Sequence, residues 1–307
     1  MSMDRSRRSF LVRSAATAAC LQALGSLRLF AEPEMRPGIQ LYMVGKELES
    51  DAPGTLAKLA AIGYRAIEPA GTYAGRTAAE FRKLAEEQGL HCPAGHFHFG
   101  IEDTNKLLDD ASALGVRYAI SSLLPPRMPE GGMAGFLPLI NGLGRDDFKR
   151  MAQMANEIGE KVQRHGIQYA YHNHNIEFRD CGNGETGYSI ILKETDPKLV
   201  KFEADLGWMA TGGGDPMALI SAAPERYPLL HFKDFDVLQP PVTTLGTDRQ
   251  NHIVELGRGI VPFEALVAKA KMLHVEHYIV DQDPPFHGKT AFEAAKIDFE
   301  YLAGLLG

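Results

Sequence analysis

Four short apolar runs, each ending in polar residues, decide the fold: IQYAYHNH (167–174), VKFEAD (200–205), YPLLHFKD (227–234) and HYIVDQD (277–283). Segments with helical spacing separate these runs. In a barrel of alternating strands and helices, the functional side chains stand at the C-terminal ends of successive parallel strands. We therefore expect the tips of the four runs to meet at one mouth of such a barrel, at His172, Asp205, His231 and Asp281. The alternative is that each polar residue only ends its strand and faces water.

The same alternation of strand and helix runs through most of the chain. Strands are predicted over Ile39–Val44, Tyr64–Glu68, His91–His96, Arg117–Ser122, Ile167–His174, Leu199–Asp205, Leu229–Lys233 and His277–Asp281. This repetition favours parallel strands joined by right-handed crossovers. A doubly wound open sheet is the competing architecture, but GKELESDAPGT (45–55), after the first strand, lacks the glycine-rich phosphate loop of such folds. We predict a single-domain (β/α)8 TIM barrel over residues 38–307. The long loop from Leu123 to Gly144 is expected to be a lid or substrate-specificity loop. Its apolar residues either cover a sugar ring or pack on the barrel rim.

The start of the chain has the layout of a twin-arginine export signal. Arg7 and Arg8 precede a moderately apolar stretch, Ala15 to Leu29, and Ala31 offers a small residue for cleavage. We predict that residues 1–31 are removed on export, that residues 32–37 form a linker, and that the protein is periplasmic or exported. The alternative is a disordered basic tail.

Charge and cysteine content limit the function classes. Cleavage after residue 31 removes five arginines and one aspartate, which takes the formal net charge from −7 to −11. An acidic chain without a basic stripe is poorly suited to nucleic acid. The two cysteines that remain, Cys92 and Cys181, do not make a disulfide framework. The apolar part of the signal is too short for a permanent membrane span. We expect a small-molecule sugar as the partner, and a homo-oligomer is left open.

Period-two alternation decides which strand residues share the inner face of the barrel. It puts His172 in phase with His174 and His231 in phase with Lys233, and Glu68 and His96 end the second and third strands. Neutral imidazole nitrogens together with carboxylate oxygens suit one divalent metal such as Mn²⁺, Mg²⁺, Co²⁺ or Zn²⁺. A metal of this kind polarises a substrate carbonyl or hydroxyl, so that a side-chain base removes a neighbouring proton.

The stretches AIEPAG, YHNHNIEF, FEADLGW, HFKDFD, ELGRGIVPF and YIVDQD resemble the xylose-isomerase-like barrels, the sugar phosphate isomerase/epimerase family. The resemblance extends from Ile39 to Leu306. It implies a TIM barrel in which a Glu, an Asp, a His and a second Glu on strands five to eight bind one divalent metal. The two glutamates of that set carry the proton. Carried over, the aspartate is Asp205 and the strand-seven histidine is His231.

This sequence departs from the family pattern at the strand ends. His172 replaces the first glutamate, Asp281 replaces the second, and Trp208 stands where a histidine is usual. The departures leave a predicted metal set of His172, Asp205, His231 and Asp281. His174, one pleat beyond His172, is then the expected base, with Asp281, Glu68 and Glu177 as alternatives in that order. The expected substrate-binding residues are His96, Trp208, Lys233 and Glu177.

Three functions are consistent with these residues. The first is a metal-dependent sugar isomerase or epimerase that removes a proton next to a carbonyl. The second is a lyase or hydratase acting on 3-keto-glycosides or inososes, and the third is a non-catalytic sugar-binding barrel. Export and the lack of a glycine-rich phosphate cradle favour a non-phosphorylated sugar or keto-sugar. A metal-dependent DNA-repair enzyme would need a basic groove, which the acidic charge disfavours.

Overall fold

Eight short parallel strands form the centre of the structure, a computed structural model that describes residues 35–307. The strands are β1 (Gly38–Gln40), β2 (Ala66–Glu68), β3 (Ala94–His96), β4 (Tyr118–Ser121), β5 (Gln168–His172), β6 (Val200–Asp205), β7 (Leu229–Phe232) and β8 (His277–Val280). Their order in the sheet is β2-β1-β8-β7-β6-β5-β4-β3. Isolated bridges from Ala66 to His91 and from Ala70 to His96 join the two outer strands. The result is a nearly closed (β/α)8 barrel, as predicted.

Helices flank the strands on the outside of the barrel. They span Gly45–Ser50, Ala52–Ile62, Ala78–Glu87, Thr104–Leu114, Met133–Asn141, Arg145–Arg164, Gly187–Glu194, Leu206–Thr211, Pro216–Ala222, Phe263–Met272 and Ala291–Leu306. Local sequence fixes several of their starts. The Thr77 hydroxyl accepts the Glu80 N–H while the Glu80 carboxylate accepts the Thr77 N–H, and Thr290 and Glu293 form the same capping box.

Two predicted elements differ from the structure. The first strand ends at Gln40 instead of Val44, and Leu41–Val44 is a turn of 3₁₀ helix. The Gln40 side chain accepts the Tyr42 N–H, which turns the chain out of the sheet and leaves Tyr42 60% exposed at the barrel mouth. The predicted loop Leu123–Gly144 contains the helix Met133–Asn141, which lacks a side-chain cap and carries Pro138. Those features hide a helix from sequence reading.

Other elements were not predicted, among them one helix and one ribbon. The helix Gly187–Glu194 follows β5 in the chain and packs against the helix Arg145–Arg164. A two-stranded antiparallel ribbon pairs Asp234–Phe235 with Ile253–Val254. The Asp234 carboxylate holds the ribbon to the segment 257–261, because it accepts the N–H groups of Gly257, Gly259 and Val261. These hydrogen bonds give a structural role to Asp234, the aspartate that follows His231 and Lys233 in the chain.

The barrel interior changes from apolar to polar along each strand. The half of the interior nearer the N-terminal ends of the strands is filled by a buried apolar cluster. Its members are Ala94, Tyr118, Ile120, Ala170, Leu229 and Ile279. Two residues further along, the same faces carry His96, His172, His231 and Asp281. Because strand side chains alternate between the two faces, the polar residues must also point inward. The fold therefore delivers them to the C-terminal mouth.

The described part of the chain contains no helix that is both long and apolar enough to cross a membrane. The predicted export signal lies outside the described residues. Cys92 and Cys181 are free thiols.

Candidate functional site

The four predicted metal-binding residues meet at the mouth of the barrel. His172 ends β5, Asp205 ends β6, His231 lies in β7 and Asp281 follows β8. Each offers one ligand atom, and these four atoms all lie within 4.8 Å of one another. Neighbouring strands bring them together: Asp205 pairs with His231 in the β6–β7 register, and Nδ1 of His231 lies 3.2 Å from Oδ2 of Asp281. All four are buried.

Asp205 is held by the helix that begins immediately after it. Its Oδ1 accepts the Trp208 N–H at 2.7 Å, while its buried Oδ2 has no hydrogen-bond partner within residues 35–307. Gly207 permits the tight turn between strand and helix, since a Cβ there would lie 2.0 Å from the carbonyl oxygen of Lys233. One carboxylate oxygen is thus fixed structurally and the other is available to a ligand.

Lys233 is a buried cation among the carboxylates of the site. Its Nζ lies 2.8 Å from Asp283, 3.0 Å from Asp281 and 3.8 Å from Asp205, and 5.1 Å from the centre of the Trp208 ring. Burial by itself lowers the pKa of Lys233, but the three carboxylates outweigh it and raise the pKa above its ordinary value. Lys233 therefore carries a fixed positive charge at the cavity wall.

A second group of buried residues lies one pleat deeper and includes Glu203, which sequence reasoning missed. Oε2 of Glu203 lies 2.8 Å from His96, 3.0 Å from His172 and 3.1 Å from His231. The signal was present: Glu203 is two residues before Asp205, so both side chains share the inner face of β6. The prediction considered only the residues that end each run, and Glu203 lies inside its run.

Glu68 completes this deeper group from the other side of the barrel. Its Oε1 accepts a hydrogen bond from the Gln40 amide at 2.6 Å and lies 2.8 Å from Nε2 of His96 and 3.0 Å from Nε2 of His231. Burial lowers the pKa of His96, yet the two glutamates outweigh it and raise that pKa to about 9. The same carboxylates raise the pKa of His231 well above its usual value, against the effect of burial.

His174 is a histidine of the site with a ring nitrogen that is unpaired within residues 35–307. Its buried Nδ1 has no hydrogen-bond partner in the described part of the chain, and its ring lies 5.2 Å from that of His172 and 6.0 Å from that of Trp208. Burial, followed by the charge of Lys233, lowers the pKa of His174 to about 3. The imidazole is therefore neutral near neutral pH, and a pKa this low also makes it a weaker base than a free histidine.

Glu177 stands behind His174 and does not line the cavity. It is fully buried and accepts hydrogen bonds from the Tyr171 hydroxyl at 2.6 Å and from the His174 backbone N–H at 2.9 Å. Burial raises the pKa of Glu177 to about 7. Its contacts position the chain around His174, and the structure does not bring Glu177 to a substrate.

A cavity of about 340 Å³ opens above the site. Among the predicted residues, His96, His172, His174, Trp208, Lys233 and Asp281 line it, whereas Glu68, Asp205 and His231 lie beneath its floor and Glu177 lies behind its wall. Leu245 and Gln250, from the loop after β7, cover one side. Hydrogen bonds between Asn141 and Leu245 tie that loop to the helix Met133–Asn141. The volume suits a monosaccharide-sized ligand.

The donor set fits a divalent metal. Buried carboxylate oxygens of Glu68, Glu203 and Asp205 have no hydrogen-bond partner within the described residues, and burying such atoms unpaired is costly. Imidazole nitrogens beside carboxylate oxygens are typical ligands of Zn²⁺, Mn²⁺ and Co²⁺. The site therefore has both the chemistry and the unused donors that a metal requires.

A TIM barrel with a histidine and carboxylate cluster at its C-terminal mouth has the arrangement in which barrel enzymes carry their active sites. The chain belongs to the xylose isomerase-like TIM barrel family, whose sequence profile matches residues 56–281. It is similar to the inosose dehydratases of Lactiplantibacillus plantarum, with 38% identity over 91 residues, and Clostridium beijerinckii, with 26% over 151 residues. These matches span 29% and 45% of this chain and only 28% and 49% of those relatives.

Solved structures show the same fold over nearly the whole chain. A sugar phosphate isomerase/epimerase from Parabacteroides distasonis superimposes with a TM-score of 0.69 and 24% identity, covering 89% of this chain and 97% of that one. L-ribulose 3-epimerase gives a TM-score of 0.64 and 15% identity, covering 89% and 94%. A zinc-binding protein named IOLI gives 0.58 and 14%, covering 89% and 98%. At these identities the likeness concerns the fold.

Proposed function

We propose that this chain is a divalent-metal-dependent enzyme that removes a proton next to the carbonyl of a non-phosphorylated keto-sugar or inosose. One observation carries the proposal. Four ligand atoms within 4.8 Å of one another, from His172, Asp205, His231 and Asp281, stand at a cavity that also exposes the neutral His174. A metal site beside an unprotonated base is the arrangement that this chemistry needs.

His172, Asp205, His231 and Asp281 would hold the metal. A metal bound there acts as a Lewis acid toward the substrate oxygen. The protein fixes the ligands through their outer contacts, since Glu203 orients the rings of His172 and His231 and the Trp208 N–H orients Asp205. A rigid ligand set of this kind presents the substrate carbonyl in one orientation.

His174 is the proposed base. The other acceptors that sequence reasoning offered are engaged: Asp281 by Lys233 and His231, and Glu68 by Gln40 and the deeper histidines. His174 lines the cavity, and its Nδ1 is unpaired among the described residues. Glu177 holds its backbone in place. The Lys233 ammonium stabilises negative charge that develops on a substrate oxygen.

Elimination is the reaction outcome that the charges around the cavity favour. An epimerase needs a second proton carrier on the opposite face of the substrate, but the other cavity carboxylates, Asp281 and Asp283, are bound to Lys233. Removal of water or of a glycosidic substituent needs one base and a cation near the leaving oxygen. Isomerisation or epimerisation is the second candidate, supported by the presence of Asp281 in the same cavity as His174.

The charges also favour a substrate without phosphate. Lys233 is the one lysine or arginine among the described residues that line the cavity, and it is already paired with Asp281 and Asp283. With the proposed divalent metal bound, the charges of Asp205, Asp281, Asp283, Lys233 and the ion sum to zero, so the cavity offers a phosphate group no excess positive charge. A neutral polyhydroxy ketone would find hydrogen-bonding groups and the Trp208 ring.

Product analysis tests the proposed function. Metal-depleted protein, reloaded with Mn²⁺, is incubated with an inosose, a 3-keto-glucoside and D-fructose, and products are identified by NMR and mass spectrometry. We expect turnover that chelation abolishes, with loss of water or of the glycosidic group. An isomeric product of unchanged mass supports the second candidate. Saturable binding without metal dependence and without any product identifies a sugar-binding barrel and contradicts the proposal.

We also propose that the chain is exported through the twin-arginine route. The Arg7–Arg8 pair ahead of the apolar stretch supports this. Mass spectrometry of the protein from a periplasmic fraction should find a chain that begins near residue 32. An intact Met1 in that fraction would contradict the proposal.

A further inference from the structure

Four donor atoms form a closed ring beneath the proposed metal site. Oε1 of Glu68 lies 2.8 Å from Nε2 of His96, which lies 2.8 Å from Oε2 of Glu203. That oxygen lies 3.1 Å from Nε2 of His231, which in turn lies 3.0 Å from Oε1 of Glu68. Nitrogen and oxygen alternate around the ring. The four residues come from β2, β3, β6 and β7, and none is more than 8% exposed.

The spacing of these atoms suits a metal ion. Neighbouring ligands at about 90° around an octahedral ion with bonds of about 2.1 Å lie about 3.0 Å apart, and the edges of the ring measure 2.8 to 3.1 Å. Hydrogen bonding explains the ring less fully, because each Nε2 carries at most one proton and faces two carboxylate oxygens. A cation would satisfy all four contacts at once.

Unused donors point to the same conclusion. The second oxygens of the two glutamates, Oε2 of Glu68 and Oε1 of Glu203, are buried and have no hydrogen-bond partner in the described part of the chain. The amide of Gln40 fixes the first oxygen of Glu68, as outer contacts commonly fix metal ligands. His96 and His172 line the cavity above, which gives an ion a path to the ring.

The surrounding charge is compatible with an ion in the ring. Four buried carboxylates, those of Glu68, Glu203, Asp205 and Asp281, surround the two sites, while Lys233 and the partly buried Asp283 offset each other. Buried carboxylates need positive charge beside them. A divalent cation in the ring would supply it to Glu68 and Glu203, as the metal of the upper site would supply it to Asp205 and Asp281.

We infer that the barrel binds a second divalent cation in the ring formed by Glu68, His96, Glu203 and Nε2 of His231. His231 then contributes Nε2 to the lower ion and Nδ1 to the upper site, so its ring is an imidazolate whose remaining N–H proton is released to solvent when both ions bind. This inference rests on the proposed function for the upper site, which shares His231 and His172. It adds a metal centre built from residues below the cavity floor.

Manganese stoichiometry tests the inference. Chelated full-length protein is dialysed against Mn²⁺, and bound metal is counted by elemental analysis and observed by electron paramagnetic resonance. We expect two Mn²⁺ per chain with a broadened signal, because spins on either side of one imidazole ring interact. Glu203→Gln should bind one ion and give the sharp six-line signal of an isolated Mn²⁺. Asp281→Asn, which alters only the upper site, should also bind one, and His165→Ala, at an exposed position, should bind two.

The outcomes distinguish the two sites. One Mn²⁺ in the wild type that Glu203→Gln retains overturns the second site and leaves the proposed function standing; the ring is then an ion-pair network. One Mn²⁺ that Asp281→Asn retains and Glu203→Gln loses supports the lower site and contradicts the upper one. If either variant fails to fold by circular dichroism, the wild-type stoichiometry and signal decide alone: a single ion with a sharp signal overturns the inference.

Discussion

Replacing Lys233 by Met should destabilise the metal-free protein and strengthen metal binding. The change keeps the apolar stem and removes the ammonium that lies 2.8 Å from Asp283, 3.0 Å from Asp281 and 3.8 Å from Asp205. Removing one partner of a buried ion pair leaves uncompensated charge and costs about 3 to 5 kcal/mol. In a barrel of this size each kcal/mol lowers Tm by roughly 2 to 4 °C, so we expect a fall of roughly 6 to 20 °C.

Metal should reverse this loss. Without the ammonium, Asp281 and Asp205 face a divalent cation with no competing positive charge. Even about 1.4 kcal/mol of removed repulsion tightens binding about tenfold. Mn²⁺ at a fixed concentration should therefore raise the Tm of Lys233→Met by more than that of the wild type, because ligand binding to the folded state stabilises it by mass action.

Thermal unfolding followed by circular dichroism, with chelator and with Mn²⁺, measures both effects. The matched control is Lys296→Met, which removes an exposed lysine paired with Glu300 on the last helix and should leave Tm unchanged. A metal-free Lys233→Met protein that melts within 2 °C of wild type would refute the charge argument. Destabilisation that Mn²⁺ does not reverse would show that Asp205 and Asp281 do not hold the metal.

Three further predictions concern the ligands, the ribbon and a buried acid. Asp205→Asn and His231→Ala should each lose most of the bound metal by elemental analysis, since each removes a proposed ligand. Asp234→Asn should lower the free energy of unfolding in urea by about 2 to 4 kcal/mol, because an amide replaces one of the oxygens that accept backbone N–H groups. The exposed Asp236→Asn should not. Because burial raises the pKa of Glu177 to about 7, the folded state holds a proton that the unfolded state has already released. That contribution to stability is complete below about pH 4.5 and is lost progressively as the pH rises to about 7. Urea titrations between these two pH values should show that Glu177→Gln loses less stability than the wild type.

Alternation along the strands is the part of the site that sequence could predict. It placed His172 with His174 and His231 with Lys233 on the inner face, and the structure has these four residues around one site. The pattern is informative because each strand is buried on both faces along its length. A polar side chain is therefore tolerated mainly at the end of the strand, beyond the apolar interior. Barrel topology then converts a one-dimensional spacing into a three-dimensional cluster.

Contacts between segments that are distant in the chain could not be predicted from the sequence. Glu203 sits inside an apolar run and is explained only by the histidines of other strands that surround its carboxylate. Glu177 reads as a cavity residue from its place after His174, but the turn of 3₁₀ helix at Ile176–Phe178 takes it behind the wall. The early end of the first strand likewise depends on Gln40, whose amide binds Glu68 on the neighbouring strand.

Solvent deuterium exchange is the measurement that tests the central claim most directly. Mn²⁺-loaded protein is incubated in deuterated water with an inosose, and the hydrogen on the carbon next to the carbonyl is followed by NMR. The account predicts metal-dependent exchange that His174→Ala abolishes while it retains its metal. His172→Ala should lose both, and the exposed control His165→Ala should lose neither. Exchange that continues undiminished in metal-loaded His174→Ala would contradict the account.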